Sequence, residues 1–202
     1  MRAMLDEENL ERSIRRTQNE IADIIDCNPF EFFGTFTFSP DKVNDRYDDK
    51  EIYGIMSAWL SNQRRTSPNM IYMLVPERHK DGALHFHALI GQYQGELAYS
   101  GRNWRTMPIF NIAGFKYGFT NFTRIKDKSK TANYCRKYIT KELMQEKNKR
   151  RYWSSKNLQR PLRVENLSLT DVLKYPVVWD QPRQYENDYV ITTTFPLKGL
   201  SD

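Results

Sequence analysis

The stretch 69–91 constrains the fold most, because it has the pattern of two apolar strands joined by a tight turn. The two predicted strands, 69–77 and 83–91, are rich in residues that favour extended chain. Asp81 and Gly82 stand between them, and this dipeptide is typical of β-hairpin turns because glycine readily adopts a positive φ. The sequence therefore predicts an antiparallel hairpin.

The length of the hairpin loop decides which side chains share a face of the sheet. A three-residue loop, 80–82, places Glu77 directly opposite His85, whereas a two-residue turn would put Glu77 on the other face. His87 follows His85 by two positions, so both imidazoles point to the same side of the strand. With the longer loop, one carboxylate and two imidazoles are expected on one face.

A carboxylate with two neutral imidazoles is a mixed oxygen and nitrogen donor set that leaves positions open for water or substrate. Such open positions are typical of catalytic metal sites. His79 is a competing third ligand because it shares the strand parity of Glu77, but it lies at the turn, so we favour Glu77. The alternative is a pair of surface histidines on a half-exposed strand.

The remaining pattern mixes helices with strands that are joined mainly by hairpin connections, which predicts the α+β class. Apolar residues recur at helical spacing in the N-terminal segment, and aromatic residues alternate with threonine in the segment that follows it. The prediction comprises helices at 4–26, 50–65, 128–149 and 168–176, further strands at 32–40, 116–125 and 188–196, a loop at 92–115 and a strand-to-turn segment at 149–161.

Two tyrosines lie one turn apart on the predicted helix 128–149, and each is followed three residues later by a lysine. One stripe of this helix carries Tyr134, Lys137, Tyr138 and Lys141, and a different stripe carries Ala132, Cys135, Ile139 and Leu143. The apolar stripe can pack on the domain without the tyrosines. A phenol attacks poorly, but nearby ammonium groups favour the phenolate. The alternative is that both tyrosines serve packing.

Three ordered segments, "FGTFTFSP", "LHFHALI" and "YCRKYITK", resemble the motifs of HUH endonucleases of the rolling-circle replication initiator (Rep) type. The resemblance implies a central antiparallel sheet of about five strands flanked by helices, a ferredoxin-like arrangement related to the RNA-recognition fold. It implies Mg²⁺ or Mn²⁺, and it implies cleavage of single-stranded origin DNA in a hairpin or loop. The expected products are a 5′-phosphotyrosine link and a free 3′-hydroxyl.

Carried over by position, the resemblance assigns roles to seven residues. The metal ligands would be Glu77, His85 and His87, the nucleophiles Tyr134 and Tyr138, and the supporting cations Lys137 and Lys141. Tyr134 is the first choice for the initial attack, and Tyr138 would act when a round of replication ends; the order of the two stays open. The expected domains are an N-terminal helical appendage, 1–30, and an HUH endonuclease domain with a C-terminal extension, 31–202.

A net charge of +6 with 13% aromatic residues is consistent with a nucleic-acid partner. The strongest candidate contacts are Arg150, Arg151, Tyr152, Trp153 and Lys156, and the stretches 61–67 and 101–106 are weaker candidates. A non-catalytic single-stranded nucleic-acid binding module, or an HUH transposase or relaxase, remains an alternative.

Two distant cysteines and the lack of an apolar leader or membrane segment suggest a cytoplasmic protein. Because the sequence has no phosphate-binding loop motif, a separate helicase is the expected partner.

Overall fold

A computed structural model describes residues 2–138, 150–161, 183–186 and 191–194. The chain divides into two compact units, Met1–Pro161 and Leu162–Asp202. The elements are α1 (Arg2–Cys27), β1 (Phe32–Phe38), α2 (Asp49–Thr66), β2 (Ile71–Arg78), β3 (Leu84–Gly91), β4 (Leu97–Trp104), β5 (Met107–Ile112), β6 (Gly118–Arg124), α3 (Lys128–Arg136), β7 (Trp153–Ser154), β8 (Arg183–Glu186) and β9 (Ile191–Thr194). The boundary expected at residue 30 stays a prediction.

The first unit is built on a seven-stranded antiparallel sheet in the order β4-β5-β6-β1-β3-β2-β7. The predicted α+β class is therefore confirmed, although the sheet is larger than the five strands expected. In the second unit, β8 and β9 form an antiparallel hairpin. Within the described residues, no helix is long and apolar enough to cross a membrane.

One face of the sheet packs on α2 and forms the larger core. Alternation along β1 sends Phe36 to this face, where its ring contacts Trp59 of α2 and Phe122 of β6. All three side chains are buried. Asp48 begins α2, since its side chain accepts a hydrogen bond from the Lys50 N–H.

Helices α1 and α3 cover part of the opposite face, over β2 and β3. Apolar residues of α1, such as Ile21 and Ile25, pack in a second buried cluster with Met73 of β2 and with Cys135 of α3. On β5 and β6 the same face carries exposed side chains, among them Phe119. Of the two halves of this face, the one on β2 and β3 is the one that the described helices bury.

The predicted loop at 92–115 is wrong, because this stretch forms β4, β5 and the turn between them. Its side chains are largely exposed, so the chain lacks the apolar alternation that marks a half-buried strand. The turn uses Arg105 at a φ of 54°, where glycine or asparagine would have signalled a hairpin.

The other helix and strand predictions locate the elements well. The predicted helices at 4–26 and 50–65 correspond to α1 and α2, and the predicted helix at 128–149 begins as α3. The described part of α3 ends at Arg136, and residues 139–149 lie outside the described residues. The predicted helix at 168–176 also lies outside them, while β9 falls within the predicted strand at 188–196.

Candidate metal centre

The turn between β2 and β3 sets the register that brings the candidate ligands together. The His79 N–H donates to the Ala83 carbonyl at 2.9 Å, which closes a three-residue loop. Gly82 has a φ of 91° in this loop, a conformation that L-residues with a side chain rarely adopt. Glu77 therefore stands opposite His85, and the predicted register is confirmed.

Three ligand atoms converge on one point above β2 and β3. The Glu77 Oε2 atom lies 2.8 Å from His85 Nε2 and 2.6 Å from His87 Nε2. The two Nε2 atoms are 3.0 Å apart. Among the described residues, these three side chains are the group of histidine, cysteine and acidic residues that can hold a metal ion. His79 is not part of this group, although its ring lies 4.0 Å from that of His85.

Burial keeps the two imidazoles neutral, which is the form that binds metals. It lowers the pKa of His87 to about 4. Burial, and after it the neighbouring His79, lowers the pKa of His85 as well. Nitrogen lone pairs are therefore available to an ion at neutral pH.

Aromatic packing orients the imidazoles, since hydrogen bonds to their outer nitrogens are missing. The Nδ1 atoms of His85 and His87 are buried and have no hydrogen-bond partner in the part of the chain that the structure describes. The ring of His87 instead stacks on Phe33, with centroids 6.2 Å apart, and on Tyr138, with centroids 3.3 Å apart. Sequence reasoning missed Phe33, although alternation along "FFGTFTF" places it on the histidine face.

Helix α3 places the tyrosine pair beside these ligands. Its first turn is capped by the Asp127 side chain, which accepts from the Lys130 N–H at 2.9 Å. Ala132 and Cys135 are buried in the second cluster, as their stripe predicted. Tyr134 and Tyr138 therefore face away from that contact and meet edge to face, with centroids 5.2 Å apart.

The two tyrosines have different environments. Tyr134 is 46% exposed, and its ring packs edge-on against Phe33. Tyr138 is partly buried, and its pKa is raised by burial above all, then by its hydrogen bond with Tyr134 and by the charge of Glu77. The Lys137 Nζ atom lies over the Tyr134 ring, 5.6 Å from its centroid. Lys141 lies outside the described residues.

Helix α1 holds the end of α3 in place, a contact that no sequence motif signals. The Gln18 side chain donates to the Arg136 carbonyl at 3.1 Å, at the point where α3 ends. The Arg136 guanidinium in turn donates to Asn19 at 3.3 Å. These bonds connect the N-terminal helix to the residues immediately before Tyr138.

The predicted nucleic-acid contacts in 150–156 do not lie in one exposed row. Trp153 is half-buried and its ring stacks on Tyr53, and Tyr152 packs against the second cluster. Arg151 donates to the Thr17 hydroxyl at 3.0 Å, while Arg150 and Lys156 are exposed. Packing accounts for both aromatic residues, and a role of this segment in nucleic-acid binding stays a prediction.

Comparison with known families gives one match. A family model that describes replication-associated proteins of the ORF2 type matches residues 31–143, more than half of the chain. The matched range contains the triad of Glu77, His85 and His87 and both tyrosines of α3. No curated protein and no solved structure matches the chain.

Proposed function

Because the chain belongs to this family of replication-associated proteins, we propose that it initiates rolling-circle replication by nicking single-stranded origin DNA. The observation that carries the proposal is the joint placement of three converging ligand atoms and two tyrosines. A metal ligand set and a nucleophile are the two parts that cleavage of a phosphodiester by tyrosine requires. We also propose that unwinding comes from a separate helicase, in the cytoplasm of the host cell.

The triad suits Mn²⁺ or Mg²⁺. Neighbouring ligands of an octahedral ion, each about 2.1 Å from it, lie about 3.0 Å apart, whereas tetrahedral ligands at this distance lie about 3.4 Å apart. The observed separations of 2.6, 2.8 and 3.0 Å are closer to the octahedral value. Glu77, His85 and His87 would hold the ion on one side. The bound ion would polarise a phosphate oxygen and make the phosphorus more electrophilic.

Tyr134 is the better candidate for the first attack because it is exposed. Its hydroxyl oxygen forms a bond to phosphorus and loses its proton to solvent, while the bond from phosphorus to the 3′ oxygen breaks. The 3′ oxygen takes up a proton, which leaves a 3′-hydroxyl to prime synthesis and a 5′-phosphotyrosine on the protein. Lys137, close to the Tyr134 ring, favours the phenolate and the charge on the phosphate.

Tyr138 is assigned to the termination step. Its raised pKa keeps it protonated, and its ring is stacked on His87 while Tyr134 is free to react. When a round ends, its hydroxyl can attack the regenerated origin, and the 3′-hydroxyl that is released can then attack the first phosphotyrosine and religate the strand. Because both tyrosines contact one another, the two reactions can take place at one metal site.

The test incubates the protein with labelled single-stranded origin oligonucleotides and Mn²⁺, and identifies the modified peptide by mass spectrometry. We expect a covalent adduct on Tyr134 that EDTA abolishes and that Tyr134→Phe prevents in the first round. The matched control is Tyr99→Phe, since Tyr99 is similarly exposed but lies outside the site. An adduct that survives Tyr134→Phe with Tyr138→Phe would contradict the proposal. DNA binding that is unchanged in EDTA, with no adduct, would favour a non-catalytic binding module.

A further inference from the structure

The half of the sheet face that α1 and α3 leave uncovered contains a groove. Its volume is about 450 Å³, and it lies over β1, β4, β5 and β6. We call it the polar groove; its lining includes Thr35, Thr37, Arg102, Asn111, Phe119 and Asn121. Neither the family match nor the tyrosine chemistry assigns a role to these residues.

The polar groove is continuous with the candidate metal centre through the register of the sheet. Thr37 pairs with His85 on one side and with Phe119 on the other. Thr35 in the same way pairs with His87 and with Asn121. Directly opposed residues of antiparallel strands point to the same face, so two rows of side chains run from the metal ligands into the groove. Two strand spacings, about 10 Å, separate the ends of each row.

The groove presents an aromatic surface that nothing in the fold requires. Phe119 is 70% exposed, and it is the most exposed of the large hydrophobic side chains in the described part of the chain. A solvated phenylalanine on a sheet loses the hydrophobic stabilisation that burial gives, so its exposure favours a ligand with a flat apolar surface. Nucleobases have such a surface and stack on aromatic side chains irrespective of sequence.

Polar groups suited to the rest of a nucleotide surround Phe119. Arg102 lines the groove, and in the adjoining turn Arg105 lies over the exposed ring of Trp104. Guanidinium groups pair with phosphates in a bidentate manner. The Asn121 Oδ1 atom accepts a hydrogen bond from the Thr35 hydroxyl at 3.0 Å, which turns the amide nitrogen outward as a donor for an acceptor on a base edge.

We propose that the polar groove binds single-stranded DNA next to the cleaved phosphate, with a base stacked on Phe119 and the backbone held by Arg102. This inference rests on the proposed function for the position of the cleaved phosphate. The strand crosses the sheet along the two rows, from the metal ligands towards β6. The predicted but weak basic stretch 101–106 thereby acquires a position and a partner.

The test measures affinity by fluorescence anisotropy in EDTA, where no cleavage takes place, with labelled oligothymidylate as the probe. We expect Phe119→Ala to weaken binding about tenfold, the effect of losing one stacked base, and Phe119→Trp to retain it. The matched control is Tyr99→Ala, because Tyr99 is also exposed on this hairpin but pairs with Phe110 and so lies on the opposite face. Thermal unfolding of each variant shows that the fold is intact.

Two further probes identify what the groove recognises. An abasic strand removes the base but keeps the backbone, so Phe119→Ala should weaken its binding little or not at all. Arg102→Gln should reduce the slope of log affinity against log salt by about 0.7, the value for one phosphate of a single strand. Oligouridylate tests for RNA, and tighter binding of this probe than of oligothymidylate would overturn the assignment to DNA.

The outcomes separate the inference from the proposed function. Oligothymidylate binding that is absent, unaffected by Phe119→Ala, or weakened equally by Tyr99→Ala would overturn the inference, even if the tyrosine adduct forms. Binding that depends on Phe119, without any adduct on origin DNA, would leave the groove standing and remove the nicking reaction.

Discussion

Acid should destabilise the metal-free protein through His87, and the size of this effect follows from its burial. The folded-state pKa of His87, about 4, lies below the ordinary value of 6.5, so the unfolded chain binds the proton more tightly. The stabilisation is therefore complete above pH 6.5 and declines as the pH falls towards 4. His85 contributes in the same direction, since its pKa is also lowered.

Linkage gives the magnitude. A group with a pKa of 6.5 unfolded and about 4 folded lowers the free energy of unfolding by about 2 kcal/mol between pH 7 and pH 5. This is a substantial part of the 5–15 kcal/mol that is typical of a folded domain. The loss reflects the cost of charging an imidazole that is 8% exposed.

Urea unfolding at both pH values, in EDTA, measures the effect. His87→Gln removes the titrating group, so this variant should lose about 2 kcal/mol less than the wild type over the same interval. His79→Gln is the matched control, since His79 is exposed and should leave the wild-type difference unchanged. Equal losses in the wild type and in His87→Gln would refute the reasoning, because they would show that burial does not shift this pKa.

Three other predictions concern the metal, the turn and the thiols. Mn²⁺ at a hundred times its dissociation constant should raise the free energy of unfolding by about 2.7 kcal/mol, measured by calorimetry; Glu77→Gln should remove the effect, and its persistence would place the ion elsewhere. Gly82→Ala should cost about 1–2 kcal/mol in urea unfolding because of its φ of 91°, while Gly54→Ala in α2 should stabilise the protein; equal effects would contradict the role of the turn. Burial raises the pKa of Cys135 to about 12, so in the native protein Ellman's reagent should leave this thiol unmodified, and rapid labelling of Cys135 mapped by mass spectrometry would disprove its burial.

The candidate site could be predicted from sequence because the interactions that form it are local. Asp81 and Gly82 specify the turn, the turn fixes the register, and the two-residue period of the strand places His85 beside Glu77. Helical periodicity likewise separated the buried Cys135 from the tyrosines. Each step depends on residues fewer than ten positions apart.

The interactions that the sequence did not reveal join distant segments. The pair β4 and β5 escaped prediction because its exposed strands have no apolar alternation and its turn has no glycine. The half-buried positions of Tyr152 and Trp153 depend on tertiary contacts with residues far along the chain, and a basic, aromatic composition does not distinguish packing from DNA binding. The polar groove has the same origin, because it exists only where β6 pairs with β1.

The packing of α1 connects these distant contacts to the chemistry. Arg160 forms an ion pair with Glu20, and Asn28 exchanges hydrogen bonds with the Gln159 backbone, so the segment after β7 is fixed to α1. Helix α1 in turn fixes the end of α3 through Gln18. One side of the metal ligands is thus closed by two helices whose positions depend on each other, and the side towards β6 is open. A nucleic acid that enters from the open side would meet Phe119 before the ligands, and the tyrosines would lie ahead of it, so the asymmetric cover of the sheet would set the direction in which DNA approaches the nucleophile.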